Sequence, residues 1–203
     1  MAKALFVVAM SLLLSGCLTY HPDGPLRPPS RFIEHPSDRS ALIEKANVSD
    51  KDMDREERMV AAKSLTMELE KYITRAGYFK NVLTFPVKLA ERDVLLKFEF
   101  SRLFTRRAPH PWYFPGAFFT ATLWIWFNGP IHRDSTEVAG TLVIEDSLGK
   151  VLAKSENKVL SSHGVGMWDP DYMFIQDFGN MELTELVKQL LDSAVSRIDG
   201  DAP

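Results

Sequence analysis

Residues 54–77, DREERMVAAKSLTMELEKYITRAG, decide the class of fold. Met59, Ala62, Leu65, Leu69, Tyr72, Ile73 and Ala76 recur at three- and four-residue spacing, which gathers them on one face of a helix. Asp54, Glu56 and Glu57 stand at its start, where the helix dipole favours negative charge, and Gly77 suits a left-handed C-cap. A second period follows in residues 94–104, VLLKFEFSRLF. There Leu96, Phe98, Phe100 and Phe104 fall on one side, and Lys97, Glu99 and Ser101 on the other, the pattern of a sheet covered on one face.

The remaining elements extend this plan. Ser40–Val48 reads as a weakly alternating first strand, and Tyr78–Phe85 as a short strand stopped by Pro86. Thr136–Glu145 and Val151–Leu160 flank Asp146-Ser147-Leu148-Gly149-Lys150, a hairpin with glycine at the left-handed position. The chain closes on a second amphipathic helix, Met181–Ile198. Leu183, Leu186, Val187, Leu190, Leu191, Ala194 and Ile198 form its apolar stripe, and Asn180 is its expected N-cap. The prediction is an α+β two-layer sandwich: an antiparallel or mixed sheet with two amphipathic helices on one face. The step Gly77-Tyr78-Phe79-Lys80-Asn81-Val82, together with the Asp146–Gly149 turn before a terminal helix, resembles a group of envelope proteins. These are the N-terminal domain of the Tol-system β-propeller protein and the periplasmic lipoproteins of curli and polysaccharide secretion. The resemblance spans roughly Ala41–Ile198 and implies an interaction role in the periplasm.

At the N-terminus, Lys3 precedes an apolar run, Ala4–Leu14, and then Leu14-Ser15-Gly16-Cys17. Eleven helical residues extend roughly 17 Å, about half a bilayer core, so the run reads as a signal rather than a lasting span. The tetrapeptide resembles the lipobox of bacterial lipoproteins. That resemblance implies cleavage between Gly16 and Cys17, diacylglycerol on the Cys17 sulfur, and acylation of the new amine (palmitate is the common label). Anchoring through several acyl chains is stable, since each buried methylene contributes about 0.8 kcal/mol. Leu18, where Asp would favour retention at the inner membrane, implies an outer-membrane lipoprotein facing the periplasm. The expected organisation is 1–16 signal peptide, 17–37 lipidated cysteine and proline-rich tether, 38–199 periplasmic α+β domain, and 200–203 tail. Five of the twelve prolines lie in Tyr20–Pro36. This stretch reads as an extended tether, or as a strap along the domain with Phe32 and Ile33 docked.

Composition narrows the function. At 45% apolar and 25% charged the chain is ordinary globular material, and a net charge of -3 speaks against a nucleic-acid binder. A single cysteine excludes an internal disulfide and a thiolate metal cluster. No G-x-S-x-G, H-E-x-x-H, P-loop or G-x-G-x-x-G motif is present. Ser162 and His163 are neighbours on a strand and point apart, and Asp169-Pro170-Asp171 lacks a calcium-loop pattern. The expectation is a non-enzyme without metal or cofactor; a site built from His163, Asp169 and Asp171 is the enzymatic rival.

The most unusual stretch is residues 106–130, RRAPHPWYFPGAFFTATLWIWFNGP, which holds eight aromatic residues within sixteen positions, 112–127. Three readings compete for Ala117–Phe127: a central strand buried on both faces, a loop or hairpin dipping into a membrane, or a surface for self-association or a partner. On the last, Arg106, Arg107, Trp112, Tyr113, Trp124 and Trp126 form a partner or ligand surface. The predicted function is an interaction or assembly component of an envelope complex, with a homo-oligomer or an envelope protein as partner. The alternative is a binding module for a hydrophobic ligand, lipid or glycan, with the same aromatic residues as pocket walls.

Overall fold

Asp54 starts the first helix by exchanging hydrogen bonds with Glu57. Its carboxylate accepts the Glu57 N–H at 2.8 Å, while the Glu57 carboxylate accepts the Asp54 N–H at 2.8 Å, a reciprocal capping box. In the computed structural model, which describes residues 17–83, 87–173 and 179–200, this helix, α1, covers Arg55–Ala76 and ends on Gly77 at φ 74°. Leu65, Leu69, Tyr72, Ile73 and Ala76 are buried as expected, joined by Ala61 and Ala62. Met59 is exposed, a correction: at 100° per residue it stands about 120° around the helix from Leu65, and Ala61 takes the inward position.

The strands are β1 Leu18–Tyr20, β2 Ser37–Ile43, β3 Asn47–Val48, β4 Phe79–Leu83, β5 Val94–Pro109, β6 His132–Asp146 and β7 Val151–Val165. They form a seven-stranded sheet in the order β4-β2-β5-β6-β7, with β1 and β3 also pairing β5. β2 runs parallel to β4 and β5, whereas β1 runs antiparallel to β5, so the sheet is mixed. Gly149, at φ 81°, turns β6 into β7 as the sequence predicts. The fold is the expected α+β class. The signal segment 1–16 and the expected strand end at Thr84–Phe85 lie outside the described residues.

The chain divides into two compact units. The larger comprises residues 21–104, 137–160 and 179–200; the smaller comprises 17–20, 105–136 and 161–173. In the larger unit, α1 and the terminal helix, Asn180–Gly200, share one core with Leu96, Phe98 and Phe100 of β5 and Val138, Leu142 and Ile144 of β6. The terminal helix buries the whole predicted stripe, Leu183 to Ile198. Ser155 on β7 donates to the Leu190 carbonyl at 2.8 Å, which seats this helix on the sheet. Asn180 is its first residue rather than its N-cap: the Leu183 amide reaches the Gly179 carbonyl, so Gly179 takes the capping place at φ 76°.

The glycine-aromatic step has a physical role here. Gly77 reverses the chain, Tyr78 and Phe79 bury at once, and the Tyr78 hydroxyl donates to Asp192 on the terminal helix at 2.6 Å. Burial and that carboxylate push the Tyr78 phenol well above its ordinary value, so it stays a donor at neutral pH. Between the strand β1 and β2 the proline-rich stretch is a strap. Leu26 is buried in the core, its amide donates to Glu68 at 3.2 Å, and the Ile33 amide donates to the Ala76 carbonyl at 2.9 Å. Ile33 packs on the core while Phe32 stays exposed.

β5 contains a change of phase. Val94, Leu96, Phe98 and Phe100 are buried, then Leu103, Thr105 and Arg107. Phe104 therefore does not share the face of Phe100, a correction to the sequence reading; one extra residue between Phe100 and Leu103 shifts the alternation, as a β-bulge does. The buried Asp50 carboxylate accepts the Leu103 amide at 2.7 Å, the Asp52 amide at 3.0 Å and the Arg102 guanidinium at 3.2 Å. Burial alone acts to raise the Asp50 pKa, but these donors outweigh it and hold the carboxyl below its ordinary value.

Because the folded pKa is depressed, this stabilisation is present above the unfolded value of about 3.9 and is lost as pH falls through the lower folded value. Asp50→Asn is expected to cost about 1–3 kcal/mol at pH 7, since at least one buried donor loses its acceptor. Urea unfolding across pH 7 to 3 checks this: the difference from wild type should shrink below about pH 4.

Candidate interaction surface

Beyond Pro109 the chain leaves the sheet at His110-Pro111, and the Tyr113 amide donates back to the His110 carbonyl at 2.9 Å. Two short helices follow, α2 Tyr113–Phe119 and α3 Leu123–Trp126. The buried central strand, one of the three readings of Ala117–Phe127, is not there. The physical reason is local: Pro115-Gly116 and Gly129-Pro130 break extended structure, and Thr120 closes the turn between the helices. The Thr120 hydroxyl donates to the Gly116 carbonyl at 2.7 Å and accepts the Trp124 amide at 2.8 Å. Ala121 and Thr122 pass through positive φ, 46° and 74°, to reverse the chain.

Trp124 is the plug of this helical hairpin. Its ring lies where a side chain at Gly116 or Gly129 would stand: a Cβ there would come within 2.5 and 2.3 Å of ring atoms. Its indole N–H donates to the Pro130 carbonyl at 3.3 Å. Asn128, at φ 56°, ties the hairpin to the loop after β7. Its amide donates to Asp169 at 2.9 Å, its carbonyl accepts the Trp168 N–H at 2.9 Å, and Asp169 accepts the Gly166 N–H at 2.6 Å. The short helix α4, Pro170–Met173, follows. The terminal helix is α5.

The smaller unit is built with its polar groups inside. Among its described residues the buried side chains are Thr105, Arg107, Ile131, Asp134, Thr136 and Val165. Arg107 grips Asp134 through two parallel bonds of 2.8 Å and donates to the Tyr172 carbonyl at 3.2 Å. His132 stacks on Tyr172 with ring centres 5.8 Å apart. Burial, then the Arg107 charge, lower its pKa against the pull of Asp134, which keeps it neutral at pH 7. Outside, the aromatic side chains face solvent: Trp112 is 66% exposed, Phe118 81%, Phe119 83%, Trp126 70%, Phe127 84% and Trp168 58%. Trp126 and Trp168 lie 6.3 Å apart, ring to ring.

The structure places the six residues of the expected surface in different surroundings. Trp112 and Trp126 are exposed and Tyr113 is half-buried. Arg107 is no surface residue: the change of phase in β5 turns it inward, onto Asp134. Trp124 is half-buried and holds the hairpin closed. Phe118, Phe119, Phe127 and Trp168 are exposed as well and are absent from the expected surface; Trp168 lies outside the aromatic stretch, on the loop after β7. Arg106 remains outside, where its guanidinium donates to the Cys17 sulfur at 2.9 Å. Cys17 is exposed, and Gly16 lies outside the described residues.

Of the residues of the enzymatic rival, Asp169 is engaged in the loop contacts already described. Both Asp169 oxygens serve Asn128 and Gly166, Ser162 shares a hydroxyl contact of 3.2 Å with Ser135, His163 is exposed on β7, and the Asp171 side chain lies outside the described residues. Among the described residues no three His, Cys, Asp or Glu side chains gather as metal ligands. Surface cavities of about 490 and 630 Å³ belong to the larger unit, one lined by Ser37 and Arg39, the other by Leu42, Thr66 and Leu95.

No family model and no curated protein matches the sequence. Three solved structures share a distant likeness. A Xanthomonas campestris protein of the family model DUF330 is 10% identical over 90% of this chain and 98% of its own, at a TM-score of 0.49. A minor lipoprotein from Acinetobacter baumannii is 13% identical over 76% and 90%, at 0.41. A neuraminyllactose-binding haemagglutinin homologue from Helicobacter pylori is 12% identical over 90% and 99%, at 0.43. At these values no residue role passes from them to this chain.

The two tryptophans of the hairpin should separate cleanly. Trp124→Ala is expected to open the hairpin, speeding amide exchange across residues 113–129. Trp126→Ala, by contrast, should leave unfolding free energy within about 0.5 kcal/mol of wild type. Hydrogen exchange with urea unfolding of both variants checks the assignment.

Proposed function

We propose that this chain is a non-enzymatic lipoprotein of the bacterial outer membrane. It is anchored by acyl chains on Cys17, faces the periplasm, and serves to assemble or stabilise an envelope complex. The observation that carries this reading is Cys17 itself. It closes a complete lipobox, it is exposed, and it stands immediately before β1, whose pairing with β5 ties the anchor to the folded body without an intervening linker. Lipid placed there holds the smaller unit at the membrane rather than at the end of a free tether.

The rest of the structure supports contact rather than chemistry. Two buried carboxylates are internally satisfied: Asp50 by Leu103, Asp52 and Arg102, and Asp134 by Arg107. Its apolar side chains are displayed instead, on the helical hairpin. A solvent-facing group of aromatic residues of this kind marks a surface made to be covered. The glycine-aromatic step and terminal helix, which resemble those of the Tol-system and secretion lipoproteins, agree with a scaffold of this class.

Metabolic labelling with palmitate tests the anchor. The wild-type chain should carry label and cofractionate with outer membranes, and Cys17→Ser should lose the label and accumulate unprocessed. An unlabelled wild-type protein, processed normally, would overturn the reading. Crosslinking in intact cells followed by purification should recover a discrete envelope protein or an oligomer of this chain.

A further inference from the structure

We propose that the helical hairpin α2–α3 is a second membrane contact, which inserts its aromatic side chains into the interface of the bilayer that holds the Cys17 lipid. The inference rests on the lipid-anchored reading above and adds to it the occupant of the exposed aromatic surface. The aromatic surface then supports the membrane attachment in that reading and not its assembly role.

The first support is chemical. Residues 108–132 contain no Asp, Glu, Lys or Arg, twenty-five positions without a formal charge, and exposed Arg106 and Arg133 bracket them. Phe118, Phe119 and Phe127 are more than four-fifths exposed, with Trp112, Trp126 and Trp168 beside them in the same unit. Exposed phenylalanine and tryptophan in one unit, with an exposed arginine on either side of the uncharged stretch in the sequence, is a composition that suits a headgroup boundary: tryptophan favours the polar–apolar transition and arginine meets lipid phosphate. The core of a protein interface is also rich in aromatic residues and poor in charge, so the choice of a bilayer as occupant rests on the polarity of the unit and on the register of the anchor.

The second support is the distribution of polarity within the smaller unit. Among its described residues the buried side chains are an Arg–Asp pair, two threonines and two apolar residues, while Phe118, Phe119, Phe127 and Trp126 face out. Aromatic side chains left outside in this way suit surroundings that are apolar.

The third is register. β1 is antiparallel to β5, with Leu18 opposite Arg107 and Tyr20 opposite Thr105. Continued by one residue, the register sets Cys17 opposite Ala108. Toward Cys17, β1 thus runs the way β5 runs into the hairpin; β5 ends at Pro109, and after the turn at His110-Pro111 Trp112 follows only four residues beyond Ala108 in the chain. Acyl chains on Cys17 and the hairpin base are thus held within a few residues of each other on the same end of β5. The guanidinium of Arg106, beside the Cys17 sulfur, lies where the headgroups of that lipid layer would be. Once the acyl chains are inserted, entry of the hairpin is an intramolecular event with a high effective concentration.

Size limits the mode of binding. α2 has seven residues and α3 four, and among the described residues no helix is long and apolar enough to cross a membrane. The hairpin lies in the interface and does not span.

The test uses the mature chain, residues 17–203, carrying Cys17→Ser and made without lipid, mixed with vesicles of phosphatidylethanolamine and phosphatidylglycerol at 3:1. The expected result is cosedimentation with the vesicles, a blue shift of tryptophan emission, and quenching by brominated lipid tails. The exposed triple variant Phe118→Ser, Phe119→Ser, Phe127→Ser should bind at least tenfold more weakly, with unchanged circular dichroism and unfolding midpoint in the absence of vesicles. Wild-type protein that stays in the supernatant, or a triple variant that binds as well, overturns the proposal. So does a wild-type dimer in sedimentation analysis that the triple variant abolishes while vesicles go unbound, because the surface is then a protein interface. These outcomes are independent of palmitate labelling. A labelled full-length chain with a hairpin that ignores vesicles removes only the second contact, whereas an unlabelled chain that binds vesicles removes only the lipid anchor.

Discussion

A single carboxylate governs how β5 is read from one end to the other. Asp50 accepts the amide of Leu103 at the point where the alternation of buried residues moves from even to odd positions. Before that point the even positions build the core under the two helices; after it the odd positions turn inward. Had the strand kept its phase, Arg106 would face the interior and Arg107 the solvent. With the shift, Arg107 meets Asp134 and Arg106 meets the sulfur of Cys17. The bulge therefore assigns one arginine to structure and its neighbour to the surface. Asp50 is held ionised for this task by Arg102 and two amides, and Arg102 in turn contacts Asp52 and Glu137.

The helices and the hairpin of strands were legible because their signals are local. A capping aspartate, an amphipathic stripe and a glycine at the end suffice for α1, and Gly149 suffices for the β6–β7 turn. Met59 failed on arithmetic, since it lies off the face that Leu65 defines. The phase change in β5 was not legible, because its cause is a residue some fifty positions earlier in the chain. The strap followed the same rule: prolines announce an extended path, but only the burial of Leu26 and the bond from Ile33 to Ala76 show that the path is pinned.

The aromatic stretch shows how propensity misleads when its content is right and its punctuation is ignored. Phe, Trp, Ile and Thr favour strands, and eight of them among the eleven residues 117–127 suggest a buried one. Pro115-Gly116 and Gly129-Pro130 were the counter-signal in the sequence, since such dipeptides mark reversals. The closing contact was not visible, because it needs Trp124 to fall between two glycines thirteen positions apart. Glycine at both places leaves a slot for an indole, and the indole fixes which aromatic residues face inward and which are left outside.

That division bears on why the smaller unit keeps a buried ion pair at all. Replacing a buried pair by apolar side chains is often neutral or favourable for stability, so stability alone does not explain Arg107 and Asp134. In a unit whose apolar side chains are turned outward, a directional pair has a different value. It holds the base of the hairpin by geometry, two parallel bonds and a third to Tyr172, without drawing aromatic surface inward to make a core. Asn128 and Asp169 do the same for the outer loop. The hydrophobic effect, which elsewhere in this chain closes the sheet under two helices, is left unspent on the hairpin and remains available to whatever covers it. On the lipid-anchored reading, a lipid interface within a few residues of Cys17 is the covering that asks the least of the chain: it requires no matching partner surface, only that the hairpin be rigid and face the same way as the anchor.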